Sequence, residues 1–141
     1  MTALVTAARK YTGVKFRHRG RKPTGLDCAG LLWLAYSDCG VVLPDFRLYG
    51  PEPHEDGLVA HVTAALGEPV AVGPVRASQL QAGDVAVMRY DHEPHHLALI
   101  TDYPMGGHAI LHADGWEGRV LGQRLAPDML ARVTHLFRRP V

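Results

Sequence analysis

Apolar residues follow two regimes along this chain. Up to about Leu66 they recur at helical spacing, and from Leu80 onward they come in short runs separated by turn residues. Leu4, Ala7, Ala8 and Tyr11 share one face of a predicted helix over residues 2–11, with Gly13 as its stop. Cys28, Leu31, Leu32, Ala35 and Cys39 follow the same spacing and predict a helix over 28–39. Gly40 ends it and Pro44 follows. Leu58, Val59, Val62, Ala65 and Leu66 predict a third helix that stops at Gly67. Residues 17–22 read as a basic loop, 44–57 as an exposed loop and 69–75 as a surface connection. Strands are expected at 84–90, 96–102, 108–113, 119–124 and 134–138, with turns at 104–107 and 114–115 and a helical turn at 126–131. Helices followed by hairpin-linked strands define an α+β class: N-terminal helices packed on a central antiparallel sheet of about five strands.

Length and charge narrow the picture. A chain of 141 residues is one domain's worth, and residues 1–141 are read as a single domain. With 47% hydrophobic and 21% charged residues, the chain can bury a core, which argues against disorder. A net charge of +1 gives no ground for nucleic-acid binding. No apolar run reaches membrane-spanning length, so no membrane insertion is expected. The first residues lack a leader's apolar core and carry Arg9 and Lys10, so synthesis in a cytoplasm without a signal peptide is expected. Cys28 and Cys39 are eleven residues apart on one predicted helix, roughly 16 Å along its axis. A disulfide needs Cα atoms within about 7 Å, so both thiols are expected to be free.

Chemistry enters at Gly25-Leu26-Asp27-Cys28-Ala29-Gly30, where a cysteine opens a helix behind a capping aspartate. A helix N-terminus favours negative charge, and thiolate is the nucleophilic form of cysteine. Cys28 is therefore the candidate nucleophile; the competing reading is a cysteine packed in the core. Folding the 96–113 hairpin about Pro104 pairs His96 with His112 on one face, while His95 points to the other. One imidazole then serves as base and the other as its orienter. The competing readings are satisfied structural histidines, or a metal set drawn from His92, His95, His96, His108 and His112. Against metal stand the lack of an H-E-x-x-H motif and of any cysteine in that half. The basic run Arg17, His18, Arg19, Gly20, Arg21, Lys22 is either a solvated loop or an anion-contacting rim.

Five stretches in order resemble the NlpC-type cell-wall peptidases, a papain-like group of cysteine hydrolases. They are Tyr11-Thr12-Gly13-Val14-Lys15-Phe16-Arg17, Leu26-Asp27-Cys28-Ala29-Gly30-Leu31, Leu80-Gln81-Ala82-Gly83-Asp84-Val85, His96-Leu97-Ala98-Leu99-Ile100 and Ile110-Leu111-His112-Ala113. The resemblance implies a papain-like fold with Cys28 as nucleophile, His96 as base and His112 as orienter. It places Phe16, Arg17, Asp27 and Ala29 beside the substrate and implies no metal or other cofactor. The implied substrate is the bacterial peptidoglycan stem peptide, cut at the D-glutamyl–diamino acid bond. Phe16 stands where the family usually has tyrosine, Ala29 where it has serine and Lys15 where it has proline.

The spacing of Arg17-His18-Arg19-Gly20-Arg21 with Leu26-Asp27-Cys28, then Leu43-Pro44-Asp45 and a long insert, resembles the branch found in tails of phages and gene transfer agents. That resemblance implies tail or tail-tip proteins as partners and the virion tail as location. The alternatives are a tail-tip structural subunit that keeps the fold with little activity, or another amide hydrolase or acyltransferase on the same fold.

Overall fold

A computed structural model describes residues 2–45, 57–90 and 96–141; the loop expected at 44–57 falls mostly, and His92 and His95 fall entirely, outside the described residues. The first helix, α1 (Ala3–Arg9), starts where Thr2 Oγ1 accepts the Val5 N–H at 3.1 Å. It is shorter than the expected 2–11, and Val5 joins Leu4, Ala7 and Ala8 in the core. Residues 13–16 then run beside a later strand, with Gly13 N donating to Val120 O and Phe16 N to Gly118 O, each at 2.8 Å.

The basic loop contains a small hairpin, β1 (Arg21–Lys22) with β2 (Gly25–Leu26). Leu26 N donates to Lys15 O and Arg17 N to Leu26 O, both at 3.0 Å, so the chain ahead of the second helix is pinned to 15–17. That helix, α2 (Cys28–Asp38), ends at Cys39 and Gly40 as its spacing predicts. The expected one-sided face is exceeded: Ala29, Gly30 and Tyr36 are buried along with Cys28, Leu31, Leu32 and Ala35. It is a central helix, packed on α1, β1 and the main sheet. Cys28 and Cys39 are free thiols. The third helix, α3 (Leu58–Leu66), lies between Gly57 and Gly67 as its pattern predicts.

Six strands form the main sheet, one more than expected. They are β3 (Ala71–Val72), β4 (Val85–Met88), β5 (His96–Asp102), β6 (His108–Asp114), β7 (Arg119–Arg124) and β8 (Val133–Phe137), in the order β3-β8-β4-β5-β6-β7. The additional strand, β3, lies in the stretch read as a connection; it is an edge strand paired only through Ala71 to Leu136 and Val72 to His135. The short helix α4 (Pro127–Leu130) occupies the expected helical turn. Among the described residues, no helix is long and apolar enough to cross a membrane.

Both sheet faces are covered, which is why the strands read as unbroken apolar runs. Val85, Val87, Leu97, Leu99, Leu111 and Ala113 join the helices in one core cluster. Ala86, Met88, Ala98, Ile100 and Ile110 form a second cluster on the opposite face, with Met129 and Leu130 against it. Asp84 and Arg138 tie β4 to the end of β8 through contacts of 2.7 and 2.8 Å.

The β5–β6 hairpin corrects the expected register. Leu99 pairs with Leu111 and Asp102 with His108, so the hairpin centres on Met105 rather than Pro104. The turn closes from Tyr103 to Gly107, and Gly106 and Gly107 take φ of +94 and +79, which glycine adopts without strain. His96 is therefore not opposite His112: its partner in β4 is Met88, and His112 pairs with Leu121 in β7.

A glycine fixes how closely the basic loop approaches α2. A Cβ on Gly30 would overlap the Gly20 carbonyl oxygen and lie 3.1 Å from an Arg21 guanidinium nitrogen. Gly30→Ala is expected to lower unfolding free energy by about 2–3 kcal/mol or more in urea denaturation, the overpacking range. A loss below about 0.5 kcal/mol would contradict this close approach.

Candidate active site

The start of α2 is built around a buried carboxylate. Asp27 Oδ1 accepts the Gly30 N–H at 2.7 Å and an Arg21 guanidinium N–H at 2.8 Å. Its Oδ2 accepts the Arg19 N–H at 3.0 Å, and Arg19 is held at φ +61. Arg21 also donates to Gly20 O at 3.0 Å and, through Nε, to Asp45 at 3.1 and 3.2 Å. Burial pushes the Asp27 carboxyl up from its ordinary range, and the Arg21 charge and the Gly30 and Arg19 N–H groups pull against it. The Arg21 side chain is 4% exposed, so one member of the basic run is an internal brace rather than a solvated residue or part of a rim. Arg17, His18, Arg19 and Lys22 stay on the surface and line a shallow recess with Thr24 and Gly25.

Cys28 occupies the first helical position behind this cap. It is 6% exposed and belongs to the core cluster that contains Leu97, Leu111 and Ala113. Asp27 and Ala29, expected beside the substrate, are also buried. Arg17 is exposed and Phe16 is half-buried.

The two histidines expected to act together meet. His96 Nε2 lies 2.7 Å from His112 Nδ1, with ring centroids 4.9 Å apart and planes at 79°. A two-residue change of register keeps every side chain on its face, so the corrected hairpin turns a directly opposite pair into a diagonal one within reach. His112 Nε2 in turn lies 2.6 Å from Gln123 Oε1. Tyr90 packs edge-on against His96, with centroids 5.5 Å apart. These residues line a recess of about 120 Å³ with Asp114, Trp116 and Met129.

His96 and His112 alternate in phase with Ala98, Ile100 and Ile110 of the second cluster, whereas Cys28 belongs to the first. Among the described residues, no hydrogen bond joins Cys28 Sγ to either ring. Backbone pairing nevertheless brings both to one end of the sheet. His96 opens β5, His112 lies near the end of β6, and β7 begins beside them. Lys15 bridges to Arg119 at that end, and Phe16 bridges to Leu26, two residues before Cys28. The Phe16 ring also lies 3.4 Å from the place a Cβ on Gly115 would occupy. Phe16 thus stands between the helix start and the turn that follows β6.

The described members of the five-histidine metal set are not all brought together. His108 pairs with Asp102 at the opposite end of β6 from His112. His92 and His95 lie outside the described residues, and among the described residues no cluster of metal-ligating side chains is present. Sequence reasoning missed Gln123 and Tyr90. Gln123 pairs with Ile110, two residues from His112, and its place on the histidine face follows only from the β6–β7 register.

A sequence model of the NlpC/P60 family matches residues 13–139. A Mycobacterium tuberculosis protein named a probable endopeptidase is 34% identical over 90 residues, which are 64% of this chain and 19% of that relative. The chain thus spans less than a fifth of the length of the curated relatives it matches. The NlpC/p60 domain of the peptidoglycan hydrolase SagA superposes with a TM-score of 0.62 at 22% identity, covering 97% of both chains. An N-acetylmuramoyl-L-alanine amidase from Bacteroides uniformis superposes with a TM-score of 0.56 at 11% identity, covering 96% of this chain and 95% of the other. At these identities the structural likeness shows the fold.

The brace at the helix start carries its own prediction. Arg21→Met leaves two carboxylates facing each other without their cation and is expected to cost about 3–5 kcal/mol in denaturant unfolding. Arg21→Lys is expected to recover only part of this, because a lysine lacks the fork that spans Asp27 and Asp45. A loss under about 1 kcal/mol in Arg21→Met would show that the brace is not structural.

Proposed function

The chain belongs to the NlpC/P60 family, and on that premise we propose that it is a cysteine peptidase that hydrolyses peptidoglycan stem peptides. The observation that carries this reading is the convergence of a capped helix start bearing Cys28 and a buried imidazole pair at one end of the sheet. A core cysteine alone would need no buried imidazole pair beside it. His96 takes the Cys28 thiol proton, and Sγ attacks the amide carbonyl carbon. The tetrahedral oxyanion collapses to a thioester as His96 returns the proton to the leaving amine. Water, deprotonated by His96, then releases the acid and restores the thiol.

The oxyanion needs donors at the helix start. Gly30 N–H is committed to Asp27 Oδ1 and Leu31 N–H to the Asp27 carbonyl, so the Cys28 and Ala29 N–H groups are the first-turn donors assigned here. Phe16 offers no hydroxyl for this task, and Ala29 none for substrate.

The finer reading is cleavage between D-glutamate and the diamino acid, by a tail component of a phage or gene transfer agent that opens the wall of a target cell. The sequence of 17–28 with Leu43-Pro44-Asp45 supports that setting. A second reading, a tail subunit that keeps the fold with little activity, is favoured by the 6% exposure of Cys28 and by Phe16 and Ala29. Another amide hydrolase or acyltransferase on this fold would use the same thiol on a different carbonyl.

Digestion of purified peptidoglycan, with products read by mass spectrometry, separates these readings. Wild type is expected to release fragments whose masses name the bond, and Cys28→Ala none. Absence of cleavage by folded wild type would overturn the peptidase reading in favour of the structural subunit. Cys39→Ala is expected to retain activity and to cost on the order of 1 kcal/mol of stability. His112→Ala is expected to slow hydrolysis less than His96→Ala, because the orienter does not itself carry the proton.

A further inference from the structure

Gln123 has no role in the mechanism above, yet it completes a three-membered chain, Gln123 Oε1 to His112 Nε2 at 2.6 Å and His112 Nδ1 to His96 Nε2 at 2.7 Å. Both rings are nearly sealed, His96 at 1% and His112 at 2% exposure. Each contact needs one hydrogen, and with both rings neutral the chain has only two self-consistent arrangements. In the first, Gln123 Oε1 accepts from His112 Nε2–H, which leaves His112 Nδ1 bare to accept from His96 Nε2–H. His96 Nδ1 is then the basic nitrogen. In the second, the Gln123 amide is reversed and donates to His112 Nε2, His112 Nδ1–H donates to His96 Nε2, and His96 carries its hydrogen on Nδ1.

Only the first direction gives a base whose other nitrogen is already turned to its orienter. It also survives proton uptake, because a doubly protonated His96 still donates from Nε2 to His112 Nδ1. The second direction requires both rings and the amide to reorganise at that moment. We propose that Gln123 is a positioning residue that fixes the direction of the His112–His96 hydrogen-bond chain, and so makes His96 Nδ1 the proton acceptor for Cys28. This rests on the peptidase reading for its purpose, though not for its geometry. The step is a transfer of one proton from Sγ to Nδ1, with no net change on His112 or Gln123.

Among the described residues, the other titratable groups facing this recess are Tyr90 and Asp114. Arg132 lies over the Tyr90 ring, 5.0 Å from its centroid. They remain in every variant below, so a difference between variants reports on position 123.

Two variants and two measurements test the proposal. Gln123→Glu keeps an acceptor that cannot reverse, and Gln123→Leu removes the acceptor. Nitrogen-detected NMR of the histidine rings is expected to show His112 as the Nε2–H tautomer in wild type and Gln123→Glu, and a mixture in Gln123→Leu. Hydrolysis by folded Gln123→Leu is expected to fall tenfold or more, part of the roughly 10²–10⁴ contributed by a positioned base. Gln123→Glu is expected to keep activity within a few fold, with the acid limb of its pH–rate profile moved to higher pH, because a carboxylate stabilises the imidazolium. An unchanged tautomer and full activity in Gln123→Leu would overturn the proposal. If Gln123→Leu does not fold, an unshifted profile in Gln123→Glu overturns it. A wild type that shows the tautomer yet cuts nothing refutes the peptidase reading and leaves the positioning claim standing.

Discussion

The architecture of the site depends on a buried charge network at the start of α2. Removing a carboxylate from water is costly unless its oxygens are met, and Asp27 meets two backbone N–H groups and a guanidinium. Arg21 is equally buried and is balanced by Asp27 and Asp45. The arrangement ties the first turn of α2, the basic loop and Asp45 together, and breaking the Arg21–Asp27 link leaves a charge inside the protein. Its cost is offset only in this geometry, which fixes where Cys28 sits. Gly30 is part of the same constraint, since the Gly20 carbonyl presses against the turn that Asp27 caps.

The sheet supplies the other half of the site by alternation. Because strand side chains repeat every second residue, His96 and His112 stay on one face whatever even shift the hairpin adopts. The two-glycine turn moves the hairpin centre to Met105, and the imidazoles meet diagonally across β5 and β6. The same periodicity extends to Gln123 on β7. The segment 13–16 joins these elements to the helix, bonding to β7 on one side and to Leu26 on the other. A chain whose thiol and imidazoles lie 68 and 84 residues apart in sequence is thereby closed at one end of the sheet.

How much of this was legible follows from the range of each interaction. Helices α2 and α3 are marked by local spacing and by Gly40, Gly57 and Gly67, so they fall where the pattern places them. Strands β5 and β7 match because turn residues bound them. Strand β3 was missed because it is two residues long and exists only by pairing with β8, about 65 residues away. The inward turn of Arg21 was missed for a similar reason: a basic run looks solvated until Asp27 and Asp45 are brought to it. The nearly all-round burial of α2 reflects tertiary packing on two sides, which a single amphipathic face does not encode. The family pattern carried Cys28, His96 and His112, while Gln123 became visible only with the register known.

The central claim is that Cys28 and the imidazole pair form one chemical unit despite belonging to different core clusters. The most direct test is the rate of Cys28 alkylation across the imidazole range, about pH 5 to 8. It should be measured with Cys39→Ala as background, in the presence and absence of His96→Ala. The account predicts a step in the rate profile that disappears when His96 is removed. Superimposable profiles with and without His96, in proteins of equal stability, would contradict it and leave Cys28 as a core thiol.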